Sequence, residues 1–371
     1  MKRLGNIWDQ LTSYENLELA LRKSAKGRRW LWIVRHIRRN KERHILNAQR
    51  QLLSGTYRTN VYKAKVVYEP KRRIIHSLPF FPDRIVHHAL VNILGPYWDS
   101  MFIYDSYACR KGKGQHAGSL RCMEFVRNYR YALKCDVSKF YHSIPHDELK
   151  VLLRRKLKCR KTLALLDEII DSSCTCQGMS PGRGVPIGNL ISQWLGNLYL
   201  NELDTLLKQT YRVKAYLRYC DDFILFSNDK AELRRLSYVI KDFFGDKLRL
   251  TLSKCELYPV SHGVDFLGYR HFRNYIMLRK STAKRIRRRL KRIRNRIGPA
   301  PKNFRRMMGQ IASAMGWLKW ANCHNFQLAI EINDLWEWVC EYKNSRKIQR
   351  VRHRITKPRR RQGTNKVSVR A

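Results

Sequence analysis

The chain has 371 residues, 44% of them hydrophobic, and 76 Lys and Arg stand against 29 Asp and Glu for a formal charge of +47. That size allows two or three domains' worth of core, and no window approaches 18 uncharged apolar residues, which excludes a membrane-spanning helix. Such a charge makes the molecule repel itself unless it meets a polyanion, so nucleic acid is the expected partner, held by salt-sensitive phosphate contacts.

Thr12-Ser13-Tyr14-Glu15 reads as a capping box that opens a helix, and Lys26-Gly27-Arg28-Arg29 ends it. A second helix is expected over 30–53, with a polar face rich in Arg and Lys that suits RNA at least as well as solvent. Thr59 to Tyr68 and Ile74-Ile75 read as strands on either side of Glu69-Pro70-Lys71-Arg72-Arg73. Asp83 to Val91 reads as a helix. Its neighbours His87 and His88 do not share a helical face, so packing is favoured over metal binding. Tyr107 to Gly114 is a basic loop in which Arg110, Lys111 and Lys113 stand ready for phosphate. It lacks the full Gly-x-x-x-x-Gly-Lys-Ser/Thr motif, which argues against a separate nucleotide-hydrolysing site.

Tyr131 to Val137 is a short apolar run that delivers Asp136 to a strand end. Helices are expected over 146–158, 161–170, 188–208 and 230–244, and a strand over 248–252. Between them, Val213 to Leu217 and Phe223 to Phe226 read as a hairpin with Asp221 and Asp222 forming its turn. Strand, helices, hairpin, helix, strand make an α+β unit with helices on one face of an antiparallel sheet. From Arg279 the character changes. Ser281-Thr282 can cap a helix ending near Gly298, with Ile286, Leu290, Ile293 and Ile297 as its apolar stripe. Arg287, Arg288, Lys291 and Arg294 lie on its basic remainder, where a solvated face would mix charge signs. Helices over 304–320 and 325–342 follow, and 343–361 reads as a mobile basic arm.

Two adjacent carboxylates are costly without a cation. Asp136, Asp221 and Asp222 together could converge on two divalent ions about 3.5–4 Å apart, and oxygen ligation of that kind suits Mg²⁺. The carbonyl of Val137 is an available further ligand because it follows Asp136. Ten scattered cysteines without a Cys-x-x-Cys pair argue against zinc. They fit small core residues in a reducing cytoplasm, and Met1 to Asn6 offers no apolar signal region.

Four motifs in order resemble reverse transcriptases: Tyr219-Cys220-Asp221-Asp222, Asp136 with Phe140-Tyr141, Val185 to Gln193, and Phe266-Leu267-Gly268-Tyr269. The resemblance is greatest to the enzymes of diversity-generating retroelements and runs from about Arg3 to about Phe326. It implies a right-hand polymerase with fingers, an antiparallel palm sheet and a helical thumb. The expected boundaries are a basic N-terminal extension over 1–55, fingers over 56–130, palm over 131–278 with finger insertions near 146–184, thumb over 279–342 and a basic arm over 343–371. It also implies that Arg73 contacts the incoming deoxynucleoside triphosphate, with Arg72 one register step away, and that Tyr141 gates against a ribose 2′-hydroxyl rather than merely packing. Lys254 would lie near the pyrophosphate, and Phe266 to Tyr269 would grip the primer. Template RNA, an RNA/DNA duplex and a small basic oligomeric accessory protein are the implied partners, in a bacterial, archaeal or phage setting. One departure stands out. Most reverse transcriptases have Gln before the glycine of the second motif, where this chain has Ile187 before Gly188. The diversity-generating group shares the apolar residue and misincorporates opposite template adenines. A retron or group II intron enzyme is the alternative within polymerases, and a non-catalytic RNA-binding scaffold with a relic palm is the alternative outside them.

Overall fold

The structure is a computed structural model that describes residues 3–68, 72–176, 178–298, 301 and 303–356, with side chains as far as Ser345. In order, the elements are α1 (Trp8–Thr12), α2 (Tyr14–Ser24), α3 (Trp32–Arg39), α4 (Lys41–Leu53), β1 (Lys63–Val67), β2 (Arg73–Ser77), α5 (Ile85–Met101) and α6 (Gln115–Asn128). Next come β3 (Tyr131–Val137), α7 (Phe140–Ser143), α8 (His146–Lys156), α9 (Arg160–Asp171), α10 (Leu190–Thr205), β4 (Ala215–Tyr219), β5 (Asp222–Ser227), α11 (Lys230–Asp242) and β6 (Leu252–Pro259). The chain ends with β7 (Val264–Phe266), β8 (Tyr269–His271), β9 (Ile276–Leu278), α12 (Lys280–Arg294), α13 (Phe304–Leu318), α14 (His324–Ala329) and α15 (Ile332–Thr356). Two compact units result: Met1–Leu267 with His271–Asn274, and Gly268–Arg270 with Tyr275–Ala371.

The first unit is built on a four-stranded antiparallel sheet of order β4-β5-β3-β6. Side-chain alternation gives it two apolar faces. Leu133, Cys135, Val137, Phe223 and Leu225 join a large core shared with α2, α5, α8, α10 and α11. Ala132, Ile224, Phe226 and Leu217 pack instead against Cys122, Phe125 and Val126 of α6. Helices therefore cover both faces, not one as the order of elements implied, because β5 is apolar on both sides and β3 adds Leu133, Cys135 and Val137 to one face and Ala132 to the other. The outer edge of β4 is closed by the segment before α6: Tyr107 N–H donates to Arg218 O, and Arg218 N–H donates to Asp105 O, both at 2.9 Å.

Several expected boundaries move. The helix expected over 30–53 is two helices, broken at Asn40. Ser13 caps α2 by accepting from Asn16 N–H, so the cap partner is Asn16 and not a capping-box Glu. The strand expected over 248–252 begins only at Leu252, because Arg249 sits at a φ of +51°. Lys208 lies beyond α10, in a separate wide turn. His87 is fully buried in α5, where burial holds its pKa down at about 3, as packing requires. Glu69-Pro70-Lys71 lies outside the described residues.

In the second unit α12 buries Ile286, Leu290 and Ile293, and α13 packs between α12 and α15. Thr282 is buried within α12, where it was expected to cap it, and Arg279 occupies the cap position. Ile297 lies past the helix end and is partly exposed, so the stripe has three members. α15 carries the backbone helically to Thr356 in place of the arm expected from Lys343. The rest of that arm is outside the described residues. Among the described residues no helix is long and apolar enough to cross a membrane.

Candidate active site

β3 and β5 pair so that Asp136 stands directly opposite Asp222, and Tyr219 stands opposite Asp222 across the β4-β5 hairpin. The turn itself is therefore Cys220-Asp221, where an Asp221-Asp222 turn was expected. Cys220 takes the left-handed conformation (φ +57°) that closes a two-residue hairpin. Asp222 becomes the first residue of β5. Its carboxylate lies 3.7 Å from the Lys134 ammonium, two residues before Asp136 on the same face of β3.

Asp221 is half-buried, and its pKa is raised by burial first and by the Asp136 charge next, while Arg73 opposes the rise. The Asp136 charge thus acts on half-buried Asp221 as a nearby like charge. The Asp136 carboxylate accepts a hydrogen bond from Ser253 at 2.7 Å. Ser253 reaches it because the β3-β6 ladder slips between Asp136, opposite Lys254, and Val137, opposite Leu252. The slip leaves Ser253 as the extra residue of a bulge, a device that aims side chains next to active sites. Val137 is buried, and the next N–H, Ser138, donates to Thr251 O at 2.8 Å.

Behind the turn sits an ion pair that the sequence reading did not single out. Arg218 and Asp204 are both 0% exposed and meet through two bonds, Nε to Oδ1 at 2.8 Å and Nη2 to Oδ2 at 2.5 Å. Arg218 also donates to Asn197 Oδ1 at 3.1 Å and to Cys220 O at 3.2 Å, and Tyr216 Oη donates to Asp204 at 2.6 Å. The available signal was an arginine inside an otherwise apolar strand, which demands a buried partner. Through Cys220 O this network holds the turn that carries Asp221.

Tyr141 Oη lies 3.0 Å from Cys220 Sγ. Phe140 and Tyr141 lie over Gly196, where an added Cβ would meet their rings at 3.0 and 3.2 Å. Ile187 O accepts from His76 N–H at 2.9 Å, which ties the second motif to β2, the strand that begins at Arg73. Gly188 has a φ of +113°, and a Cβ there would sit 2.6 Å from Ile75 Cγ2 and 3.2 Å from His76 O. We expect Gly188→Ala to cost about 1–3 kcal/mol, read as a lowered midpoint in urea unfolding. An unchanged midpoint would mean that β2 and this loop are not held together.

The structure gathers Asp136, Asp221, Asp222, Tyr141 and the charge of Arg73 into one neighbourhood, with Lys254 beside Asp136 in the ladder. Lys254 is paired with Asp136 in the ladder, and its ammonium lies 3.6 Å from Glu256. Arg110 is a correction: its side chain is only 10% exposed, pairs with Asp99 at 2.6 Å and donates to Ile103 O and Ser106 O. It braces its loop from inside, with four of its five N–H donors turned to Asp99, Ile103 O and Ser106 O. Lys113 lies 3.4 Å over the Tyr104 ring, and Lys111 is exposed. In the second unit Arg294 is held by Glu331 at 2.6 Å and Ile330 O, and Arg287 lies over the Phe326 ring; Arg288 and Lys291 are exposed and make no such contact among the described residues. Phe266 is fully buried, and Leu267 O accepts from Gln115. Gly268, at φ +84°, leaves no room for a Cβ beside Trp317, and Tyr269 Oη donates to Trp317 O.

Among the described residues no three His, Cys, Asp or Glu side chains converge to hold a metal ion. Two partly desolvated carboxylates that repel each other still fit Mg²⁺, which commonly takes one or two protein carboxylates and completes its shell with water and substrate phosphate.

Residues 62–271, more than half of the chain, match the reverse transcriptase (RNA-dependent DNA polymerase) family. The chain belongs to this family. Its relatives include the YkfC protein of Escherichia coli, 27% identical over 60% of this chain and 70% of that protein. The group II intron-encoded protein LtrA of Lactococcus lactis is 22% identical over 56% of this chain and 35% of its own length. This reverse transcriptase chain thus spans about a third of LtrA. Among solved structures, apo telomerase from Candida tropicalis aligns with a TM-score of 0.43 at 12% identity, over 64% of this chain and 60% of that one.

Proposed function

We propose that this protein is an RNA-directed DNA polymerase, and that within its family it is the error-prone enzyme of a diversity-generating retroelement. The observation that supports the polymerase reading most is the pairing of Asp136 opposite Asp222, which brings a strand-end carboxylate beside the turn carrying Asp221. In this reading Asp136 and Asp221 are the main metal ligands, with the Val137 carbonyl and Asp222 beside them. Two Mg²⁺ bound there would activate the primer 3′-hydroxyl for in-line attack on the α-phosphorus and steady the leaving pyrophosphate. Ser253 fixes the Asp136 carboxylate, and the Arg218 network fixes the turn. Arg73 meets the negative triphosphate and Tyr141 polices the sugar, while Phe266 to Tyr269 hold the primer. The fingers, palm and helical thumb are assigned to the boundaries given above, except that α15 carries the thumb's last helix past 342, and exposed Arg288 and Lys291 contact duplex backbone. A template RNA and a small accessory protein complete the assembly.

The mutagenic reading rests on Ile187. Its backbone is pinned to His76, so its side chain has a fixed place next to Gly188. An amide there could donate and accept hydrogen bonds, and a mispaired base would leave those groups unpaired and penalised. Isoleucine imposes no such penalty. We expect Ile187→Gln to lower errors at template adenines more than at other bases, measured by sequencing cDNA made on a defined RNA template. An error spectrum identical to wild type would remove the mutagenic reading and leave the polymerase reading standing.

A further inference from the structure

The N-terminal helices carry a basic stretch with two exposed indoles. Residues 21–40 hold eight Lys and Arg and no Asp or Glu. α3 is seated by buried Val34 and Ile37, yet Trp32 is 69% exposed, and Trp30, just before the helix, is 74% exposed. Two indoles left in water on one short segment are unusual for a surface without a ligand. Trp32 is also held rigid: its ring stacks on His36 with centroids 5.3 Å apart and planes 18° apart. His36 meets His44 edge-on at 5.8 Å, and His44 meets Phe81 at 4.9 Å, which ties the ring to the core. Arg35 and Arg39 are exposed on the same helix, and their guanidinium groups make no ion pair or hydrogen bond among the described residues.

We propose that this face binds a single-stranded stretch of RNA, with bases stacked on Trp32 and Trp30 and phosphates met by Arg35 and Arg39. The inference rests on the reading that the enzyme works on RNA. Flat, exposed aromatic faces beside cations suit unstacked bases, whereas a duplex offers its phosphates and keeps its base faces covered. A basic protein partner would be repelled by the same charge.

The test uses the full chain and a labelled, unstructured RNA twelvemer. Trp30→Ala with Trp32→Ala should weaken binding at least tenfold, and Trp30→Phe with Trp32→Phe should recover most of it. Extension of a short pre-annealed primer–template at saturating concentration should stay within twofold of wild type. Affinity of the double alanine variant within twofold of wild type would overturn the proposal. So would indole emission that shifts with anionic phospholipid vesicles and not with the RNA. If wild-type protein failed to extend any primer while its RNA binding still depended on the two tryptophans, the polymerase reading would fall and this surface would stand.

Discussion

Asp221→Asn should reduce primer extension by on the order of a thousandfold, the scale of removing one group that stabilises charge in a transition state. The same variant should stay folded, and its direction of change in stability is informative. The Asp221 pKa is raised in the folded protein by burial and by Asp136. A carboxyl with a raised folded-state pKa binds its proton more tightly when folded, so folding stability falls as pH rises through that range. At neutral pH, without metal, ionised Asp221 therefore costs stability, and Asn removes that cost. Asp221→Asn should unfold at a temperature equal to or above wild type in EDTA while losing activity. A variant that lost both would show that Asp221 is a structural residue of the turn.

Asp204→Ala should lose stability first and activity as a consequence. It strands the Arg218 guanidinium, 0% exposed, with no counter-charge. Removing one partner of a buried pair costs about 3–5 kcal/mol, a large share of the 5–15 kcal/mol typical of a folded protein. Tyr216 and Cys220 lose their fixed positions with it, because both bond to the same network. Replacing both charges, Asp204→Leu with Arg218→Met, should cost much less, since no charge is then left buried. The check is urea unfolding of wild type and the two variants. Equal losses for the single and double variants would show that the pair contributes nothing as a pair.

These two predictions also mark what could be read from the residues. Asp136 and the Asp221-Asp222 doublet were legible because short apolar runs bracket them and period-two alternation fixes their strands. The turn was misplaced by one residue because side-chain chemistry favours an Asp-Asp turn, whereas the ladder register made Asp222 a strand residue. Ser253 was not legible, since a bulge comes from a register slip between strands more than a hundred residues apart in sequence. Arg218 was visible only as an oddity, and its partner Asp204 lay in a helix that read as apolar core. Arg110 looked like a phosphate ligand by composition, and only the fold reveals that Asp99 holds it. The helical run past Lys343 was missed because charge density resembles that of a disordered tail.

The most direct measurement is extension of a DNA primer annealed to an RNA template by the purified wild-type chain, with deoxynucleoside triphosphates and Mg²⁺. The expected result is cDNA that requires the divalent ion, follows the template and fails with Asp136→Asn. Folded protein that binds the primer–template yet adds no nucleotide under any divalent ion would contradict it and leave an RNA-binding scaffold with a relic palm.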